Sequence, residues 1–168
     1  MGPFALLAVC LAAAPADPFA DEYRMPEARE TGAAAGQLRP SVHLGWVAAK
    51  DAALEGRLEY LPLPWLGVHA ASSVQLTQSG TAPQPVTVLA GFSLHLFPYR
   101  LFDLSLGFEA GPALLDPLSG HASLVPLFAP RAALSVYLNP HAFLELSGEL
   151  AWMSNVKASG WLGFGFTP

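Results

Sequence analysis

The chain has 168 residues, of which 52% are apolar and 12% are charged, and its formal net charge is −5. The charged fraction is about half of that in ordinary soluble domains, yet there is no run of about 18 apolar residues that would form a transmembrane helix. Lys and Arg do not cluster, which excludes nucleic-acid binding through a basic surface.

The first 16 residues have the pattern of an export signal. Residues 4–14 are apolar, and the Ala-Pro-Ala sequence at 14–16 fits the small-residue pattern of a cleavage site. We therefore predict a signal peptide over residues 1–16, with a hydrophobic first strand or short buried helix as the alternative. The only cysteine, Cys10, stands in a run that weakly matches a lipoprotein box, so lipidation is a minor alternative. Cleavage after residue 16 leaves a chain without disulfides or thiol chemistry.

Residues 17–39 mix charges with Ala and Gly and show neither helical nor strand periodicity, which predicts a flexible leader. From Pro40 onward, apolar and polar residues alternate, and this period of two predicts β-strands. The lengths of these segments suit a tilted strand that crosses a bilayer, which needs roughly 9–11 residues. The predicted strands are residues 41–49, 53–62, 65–77, 86–97, 101–112, 122–138, 141–153 and 158–167.

The two faces of the predicted strands differ in composition. One face carries mostly Leu, Val, Phe and Trp, and the other carries mostly Gly, Ser and Ala. A slip of one residue in any strand would mix these faces, so the register is well specified. Every charged residue inside the predicted strands belongs to the second face, namely Glu55, Arg57, Glu59, Asp103, Glu109, Arg131, Glu145 and Glu149.

The composition of the second face indicates which side meets water. A water-facing surface normally carries many Lys, Glu, Asn and Thr residues, whereas small side chains suit the interior of an eight-stranded barrel. The connections also alternate between short turns, such as 98–100 and 139–140, and longer loops, such as 78–85 and 113–121. We predict an all-β fold over residues 40–168, an eight-stranded antiparallel up-and-down transmembrane β-barrel. A secreted soluble barrel of the lipocalin type is the alternative.

Aromatic residues collect near the predicted strand ends, as in the interfacial girdles of membrane proteins. The alternative is an ordinary aromatic core in a soluble β-protein. The predicted girdle residues are Trp46, Tyr60, Trp65, Tyr99, Phe102, Tyr137, Phe143, Trp152 and Trp161.

Three segments carry a resemblance to a known family, LFPYRLFDLSLGFEAG at 96–111, YLNPHAFLELSGELAW at 137–152 and GWLGFGF at 160–166. With them, residues 40–168 resemble the small eight-stranded outer-membrane β-barrel proteins of Gram-negative bacteria, a group that includes the OmpA barrel, OmpX and OmpW-like proteins. The resemblance implies an outer-membrane location. Because short turns are typical of the periplasmic side and the strand number is even, we expect both barrel ends, and with them the leader, in the periplasm. It also implies contact with outer-membrane lipid and lipopolysaccharide, and with the assembly machinery during folding. It names no specific ligand.

The charged residues of the second face would lie inside such a barrel. Burying charge in a narrow lumen is costly unless it is paired, so we expect Arg57 and Arg131 to bridge several carboxylates in a structural ionic network. Acids outnumber these arginines, so some carboxylates must be protonated, hydrated or partnered by histidine. The alternative for Glu145 and Glu149 is an acid–base pair. His43, His69 and His95 lie on three strands without metal-ligand spacing, so we expect no metal and no cofactor.

One enzymatic alternative rests on residues 152–155. Outer-membrane lipid A deacylases of the PagL type carry a His-x-Ser-Asn motif, and this chain has Trp-Met-Ser-Asn. Trp152 replaces the histidine that would activate Ser154, and a serine without a base is a poor nucleophile. We therefore predict a non-enzymatic barrel with a structural role, loop-mediated binding or a narrow pore, and keep a lipid-modifying enzyme as the alternative.

Overall fold

The computed structural model describes residues 33–48, 50–77, 85–98, 101–115, 123–153 and 155–168. The predicted signal peptide, most of the predicted leader, Tyr99 and Ser154 lie outside these residues. Within the described residues, no helix is long and apolar enough to cross a membrane. The strands are β1 Leu38–Val47, β2 Asp51–Leu63, β3 Leu66–Gln75, β4 Pro85–His95, β5 Phe102–Leu115, β6 Ser123–Asn139, β7 Ala142–Trp152 and β8 Val156–Phe166.

The eight strands form one closed barrel. Each strand pairs antiparallel with the next, and β1 closes the sheet against β8. The predicted fold class is therefore confirmed. Both described chain ends and the β2–β3, β4–β5 and β6–β7 connections lie at one end of the barrel, which we call the terminal end. The opposite end, where β1–β2, β3–β4, β5–β6 and β7–β8 connect, is called the loop end.

The short turns follow from local chemistry. Between β6 and β7, the side-chain oxygen of Asn139 accepts a hydrogen bond from the backbone N–H of His141 at 2.8 Å. This is the local pairing by which asparagine favours a turn, and Pro140 between them fixes its own backbone angle. Two residues, Pro140 and His141, connect the strands, and the β6–β7 register shifts between Tyr137 and Asn139 next to this turn.

The side chains alternate as the sequence predicts. Large apolar residues point outward and are exposed, for example Val42 at 57% and Leu146 at 60%. The inward positions hold small residues where the interior is crowded. At Gly163 an added Cβ would overlap the ring of His43, and at Gly165 it would overlap the ring of Phe143. Glycine on one strand therefore makes room for a large inward side chain on a neighbouring strand.

β1 begins at Leu38, two residues inside the predicted leader. The sequence prediction placed Arg39 in flexible chain, and this boundary is wrong. Arg39 is opposite Glu59 in the ladder with β2, and its guanidinium contacts that carboxylate inside the barrel at 2.9 Å. An ion pair that is sheltered from water holds this part of the chain in the sheet.

Prolines interrupt the sheet on either side of the β5–β6 hairpin. Pro112 of β5 stands opposite Pro126 of β6, and neither has an N–H to donate. The β4–β5 ladder lapses beside Pro112, and the β6–β7 ladder lapses beside Pro130. On the inside, this part of the barrel is apolar. Its buried cluster is Leu89, Ala113, Leu127, Ala129 and Ala151, with Met153 packed against it.

Candidate functional site

Ionisable side chains fill the middle of the barrel, where arginines and histidines contact carboxylates in one connected set. None of these side chains is more than 9% exposed. We call this set the lumen network. It consists of Arg39, His43, Glu55, Arg57, Glu59, His69, His95, Asp103, Glu109, Arg131, Glu145 and Glu149.

Arg131 on β6 holds the centre of the network. Its guanidinium lies 2.8 Å from Glu55 and 3.2 Å from Glu145, and Glu149 is 3.9 Å away. Glu55 belongs to β2, across the barrel interior, so this arginine joins strands that do not pair in the sheet. Arg57 continues the chain of contacts, since it lies 3.4 Å from Glu55 and also contacts Glu109.

The three lumen histidines each lie between two carboxylates. His43 has one ring nitrogen 3.3 Å from Glu55 and the other 3.3 Å from Glu145. His69 and His95 have the same arrangement. The carboxylates beside His69 are Glu59 at 4.0 Å and Glu109 at 3.3 Å, and those beside His95 are Glu59 at 3.2 Å and Asp103. His95 hydrogen-bonds both of its carboxylates, whereas the ring nitrogens of His43 and His69 lie beside carboxylates without a hydrogen bond among the described residues.

Arg39 is the network member that the sequence prediction missed. It is 1% exposed, and its guanidinium lies over the rings of Phe143 and Tyr137, with its carbon 4.3 Å and 5.6 Å from their centroids. This cation–π arrangement holds the guanidinium at the terminal end of the interior. The sequence does contain the pattern that places Arg39 inside, because it is two and four positions from the inward residues Ser41 and His43 and therefore shares their face.

Only some of the predicted girdle residues point outward. Five of these residues point outward with exposures between 42% and 54%, namely Trp46, Tyr60, Trp65, Phe102 and Trp152. Tyr137, Phe143 and Trp161 point inward and are at most 4% exposed, so their assignment to a lipid-facing girdle is wrong. Nearness to a strand end indicates where a residue lies along the barrel axis. Whether its side chain points inward or outward depends on its odd or even position in the strand. By parity these three belong with the lumen residues.

Ser93, His95 and Asp103 together have the composition of a hydrolase triad. Ser93 Oγ is 3.2 Å from His95 Nε2, and His95 Nδ1 contacts Asp103. However, the Ser93 hydroxyl donates to Glu59, and His95 Nε2 faces that same carboxylate at 3.2 Å. Nε2 is thus placed as a donor rather than as the base that activates a serine. The Ser93 hydroxyl proton is therefore directed at the Glu59 carboxylate and not at a base that would activate the serine.

The structure also bears on the other chemistry that the sequence suggested, namely lipid A deacylation, acid–base catalysis and metal binding. Trp152 of the Trp-Met-Ser-Asn segment points outward and is 42% exposed, while Ser154 lies outside the described residues. Glu145 contacts both Arg131 and His43, whereas Glu149 has the longer contact to Arg131, so the two acids have different environments. Among the described residues, no group of His, Cys, Asp and Glu has the arrangement of a metal site.

Comparison with known proteins gives structural likeness alone. No family model matches the chain, and no curated protein matches it. The N-terminal β-barrel domain of Pseudomonas aeruginosa OprF is similar with a TM-score of 0.66 and 11% identity, covering 82% of this chain and 100% of that chain. Neisserial surface protein A has a TM-score of 0.57 and 13% identity, over 78% of this chain and 94% of that one.

A de novo designed transmembrane β-barrel is similar to the same degree, with a TM-score of 0.57 and 16% identity over 82% of this chain and 100% of the designed one. At these identities the likeness concerns the fold. The chain has the fold of the small eight-stranded transmembrane β-barrels, which are outer-membrane proteins in the bacterial examples.

Proposed function

We propose that this chain is a non-enzymatic integral protein of the bacterial outer membrane whose lumen is closed to ions. The observation that carries the proposal is the lumen network, which runs without interruption from Arg39 at the terminal end to Glu149 towards the loop end. A side-chain plug of this kind leaves the outside of the barrel and its loops as the surfaces that interact with other molecules.

The free space inside the network supports closure. The cavity beside Arg57, Glu59, His69 and Glu109 has a volume of about 10 Å³, which is room for about one water molecule. A hydrated ion needs a wider path than this. The same lack of space leaves no room for a lipid substrate beside Ser93, which is why the non-enzymatic role is preferred over a lipid-modifying one.

The membrane placement is part of the proposal. The two shortest connections, β2–β3 and β6–β7, lie at the terminal end, and the two longest, β3–β4 and β5–β6, lie at the loop end. Short turns are typical of the periplasmic side, so we propose that the terminal end, with both barrel ends, faces the periplasm. The outward side chains would contact outer-membrane lipid and lipopolysaccharide. The assembly machinery would act on the last strand, where Leu162, Phe164 and Phe166 point outward.

The protein refolded into planar lipid bilayers is expected to give no unitary ion conductance, because the network occupies the lumen. Insertion is checked in the same sample by heat-modifiable gel migration and by resistance to extraction without detergent. Steady channel openings by the inserted protein would overturn the closed-lumen proposal, and full solubility without detergent would overturn the membrane placement.

The enzymatic alternative is tested separately by mass analysis of lipid A from cells with and without the protein. We expect identical lipid A in both. Loss of an acyl chain that depends on the protein, and that disappears with Ser154→Ala or Ser93→Ala, would contradict the non-enzymatic proposal.

A further inference from the structure

The arginines of the lumen network do not balance its carboxylates. The network has three arginines and six carboxylates, and none of these side chains is more than 9% exposed. Asp51 and Lys157 also point inward, but they lie at the loop end, are partly exposed and carry one charge of each sign. Buried charge is costly unless it is paired. A neutral interior therefore needs three further positive charges.

The surroundings of the three lumen histidines indicate where these charges reside. A neutral imidazole has one nitrogen that donates and one that accepts, whereas an ionised carboxylate only accepts. Both ring nitrogens of His43 lie 3.3 Å from a carboxylate oxygen, and His69 and His95 also have a carboxylate on each side. A neutral ring would place its accepting nitrogen against an accepting oxygen. An imidazolium presents an N–H on both sides and fits this arrangement.

No hydrogen-bond donor among the described residues is directed at these ring nitrogens. The hydroxyl nearest to one of them, Ser93 Oγ at 3.2 Å from His95 Nε2, donates to the Glu59 carboxylate. The ring nitrogens of His43 and His69 are buried and make no hydrogen bond. All of these nitrogens are therefore available to carry a hydrogen, and a small turn of the His43 ring would aim its N–H bonds at the two adjacent carboxylates.

The other charged groups around the histidines do not replace this charge. Four of the five carboxylates beside a lumen histidine also contact an arginine. These pairs are Glu55 and Glu145 with Arg131, Glu109 with Arg57, and Glu59 with Arg39. The fifth, Asp103, contacts His95 and accepts the backbone N–H of Phe97 at 3.2 Å, and none of its printed contacts is an arginine. His95 is thus the cation that can balance Asp103.

We propose that the folded lumen binds three protons, one on each of His43, His69 and His95, and that these protons lock the barrel. Each proton comes from solvent and forms one N–H bond at the lone pair of a ring nitrogen, and no other bond changes. The network is then neutral. Loss of the three protons at alkaline pH leaves three uncompensated negative charges in the interior, which destabilises the folded barrel. The lock does not depend on whether the barrel conducts.

The charge state of the rings is read from the ¹⁵N signals of the histidine side chains, with the labelled protein folded in detergent micelles. The measurement is made at about pH 7.5, about one unit above the ordinary midpoint of histidine. The chain has five histidines, and single His→Gln variants assign their signals. We expect both ring nitrogens of His43, His69 and His95 to give the signals of protonated nitrogen. An unprotonated ring nitrogen in two of these three residues would overturn the proposal.

Proton binding by the folded state also makes stability fall as pH rises. Histidines of the unfolded chain are mostly neutral above about pH 6.5, so unfolding there releases three protons. The unfolding equilibrium constant is then expected to rise by up to about a thousandfold per pH unit. The measurement is urea unfolding in phospholipid vesicles between about pH 7 and pH 9. Unchanged stability over this range is incompatible with three bound protons.

Glutamine variants locate the protons, because glutamine donates and accepts hydrogen bonds but carries no charge. His43→Gln, His69→Gln and His95→Gln are each expected to reduce the pH dependence to about a hundredfold per unit, since two protons remain. The control is His141→Gln, at an exposed position of the β6–β7 turn outside the network, which is expected to keep the full dependence.

Folding of each variant is checked by heat-modifiable migration. An unchanged pH dependence in all three lumen variants would place the protons on carboxylates and overturn the proposal. Where a lumen variant does not fold, the ring-nitrogen signals and the pH dependence of the unsubstituted protein decide the question.

Discussion

Replacing Arg131 by methionine is expected to lower the free energy of unfolding by about 3–5 kcal/mol, because it leaves buried carboxylates without their cation. The Arg131 guanidinium lies 2.8 Å from Glu55 and 3.2 Å from Glu145, and the side chain is 3% exposed. Methionine keeps a similar length, so the change removes charge and hydrogen bonds more than volume. The measurement is urea unfolding in phospholipid vesicles, followed by tryptophan fluorescence and gel migration.

Lys157 offers a matched control, since it also points into the barrel but has no ion pair among the described residues. Lys157→Met is expected to change the free energy of unfolding by less than about 0.5 kcal/mol. Adding Glu55→Gln to Arg131→Met is expected to recover part of the lost stability, because one uncompensated charge is removed. Equal effects of the two methionine variants would show that the network does not stabilise the fold.

The proposed role of the network depends on how the charges are matched. Three arginines face six carboxylates, and each of the three histidines lies between two of those carboxylates. Pairing of opposite charges lowers the cost of burying them, while both ring nitrogens of His43 and of His69 make no hydrogen bond among the described residues. The same network includes the triad-like contact of Ser93, His95 and Asp103, in which the Ser93 hydroxyl donates its hydrogen bond to the Glu59 carboxylate.

The barrel was predictable because strand periodicity is local. Two residues of one strand that are two positions apart share a face, so the charged residues inside the predicted strands can be assigned to the lumen from the sequence alone. The same rule places Tyr137 and Phe143 inside. Their assignment to the girdle was wrong because nearness to the Asn139-Pro140 turn was weighted above parity.

The contacts across the lumen were not predictable in this way. Arg131 and Glu55 are 76 residues apart, and their meeting depends on the tilt and stagger of eight strands, which the alternating pattern does not contain. Glu145 and Glu149 look equivalent in the sequence. In the structure Glu145 lies between Arg131 and His43, whereas Glu149 has a longer contact, to Arg131 at 3.9 Å.

Replacing Leu146 by arginine is expected to cost about 2–4 kcal/mol of the free energy of unfolding in vesicles, the cost of an arginine near the bilayer midplane. Leu146 lies at the middle of β7, is 60% exposed, and stands between Leu134 and Leu162 in the two adjacent ladders. Because the side chain points away from the lumen, the substitution leaves the lumen network untouched. The measurement is the same urea unfolding transition.

Val156→Arg is the depth control, because Val156 also points outward and is 55% exposed, but lies at the loop end of β8. Near the interface an arginine is expected to cost only about 0–1 kcal/mol. The difference between the two variants therefore reports the depth of Leu146 rather than the presence of a charge. In a soluble barrel both positions would meet water, and both substitutions would change stability by less than about 0.5 kcal/mol. A small and equal effect would thus favour the soluble barrel, whereas a large effect confined to Leu146 requires a hydrocarbon environment around β7.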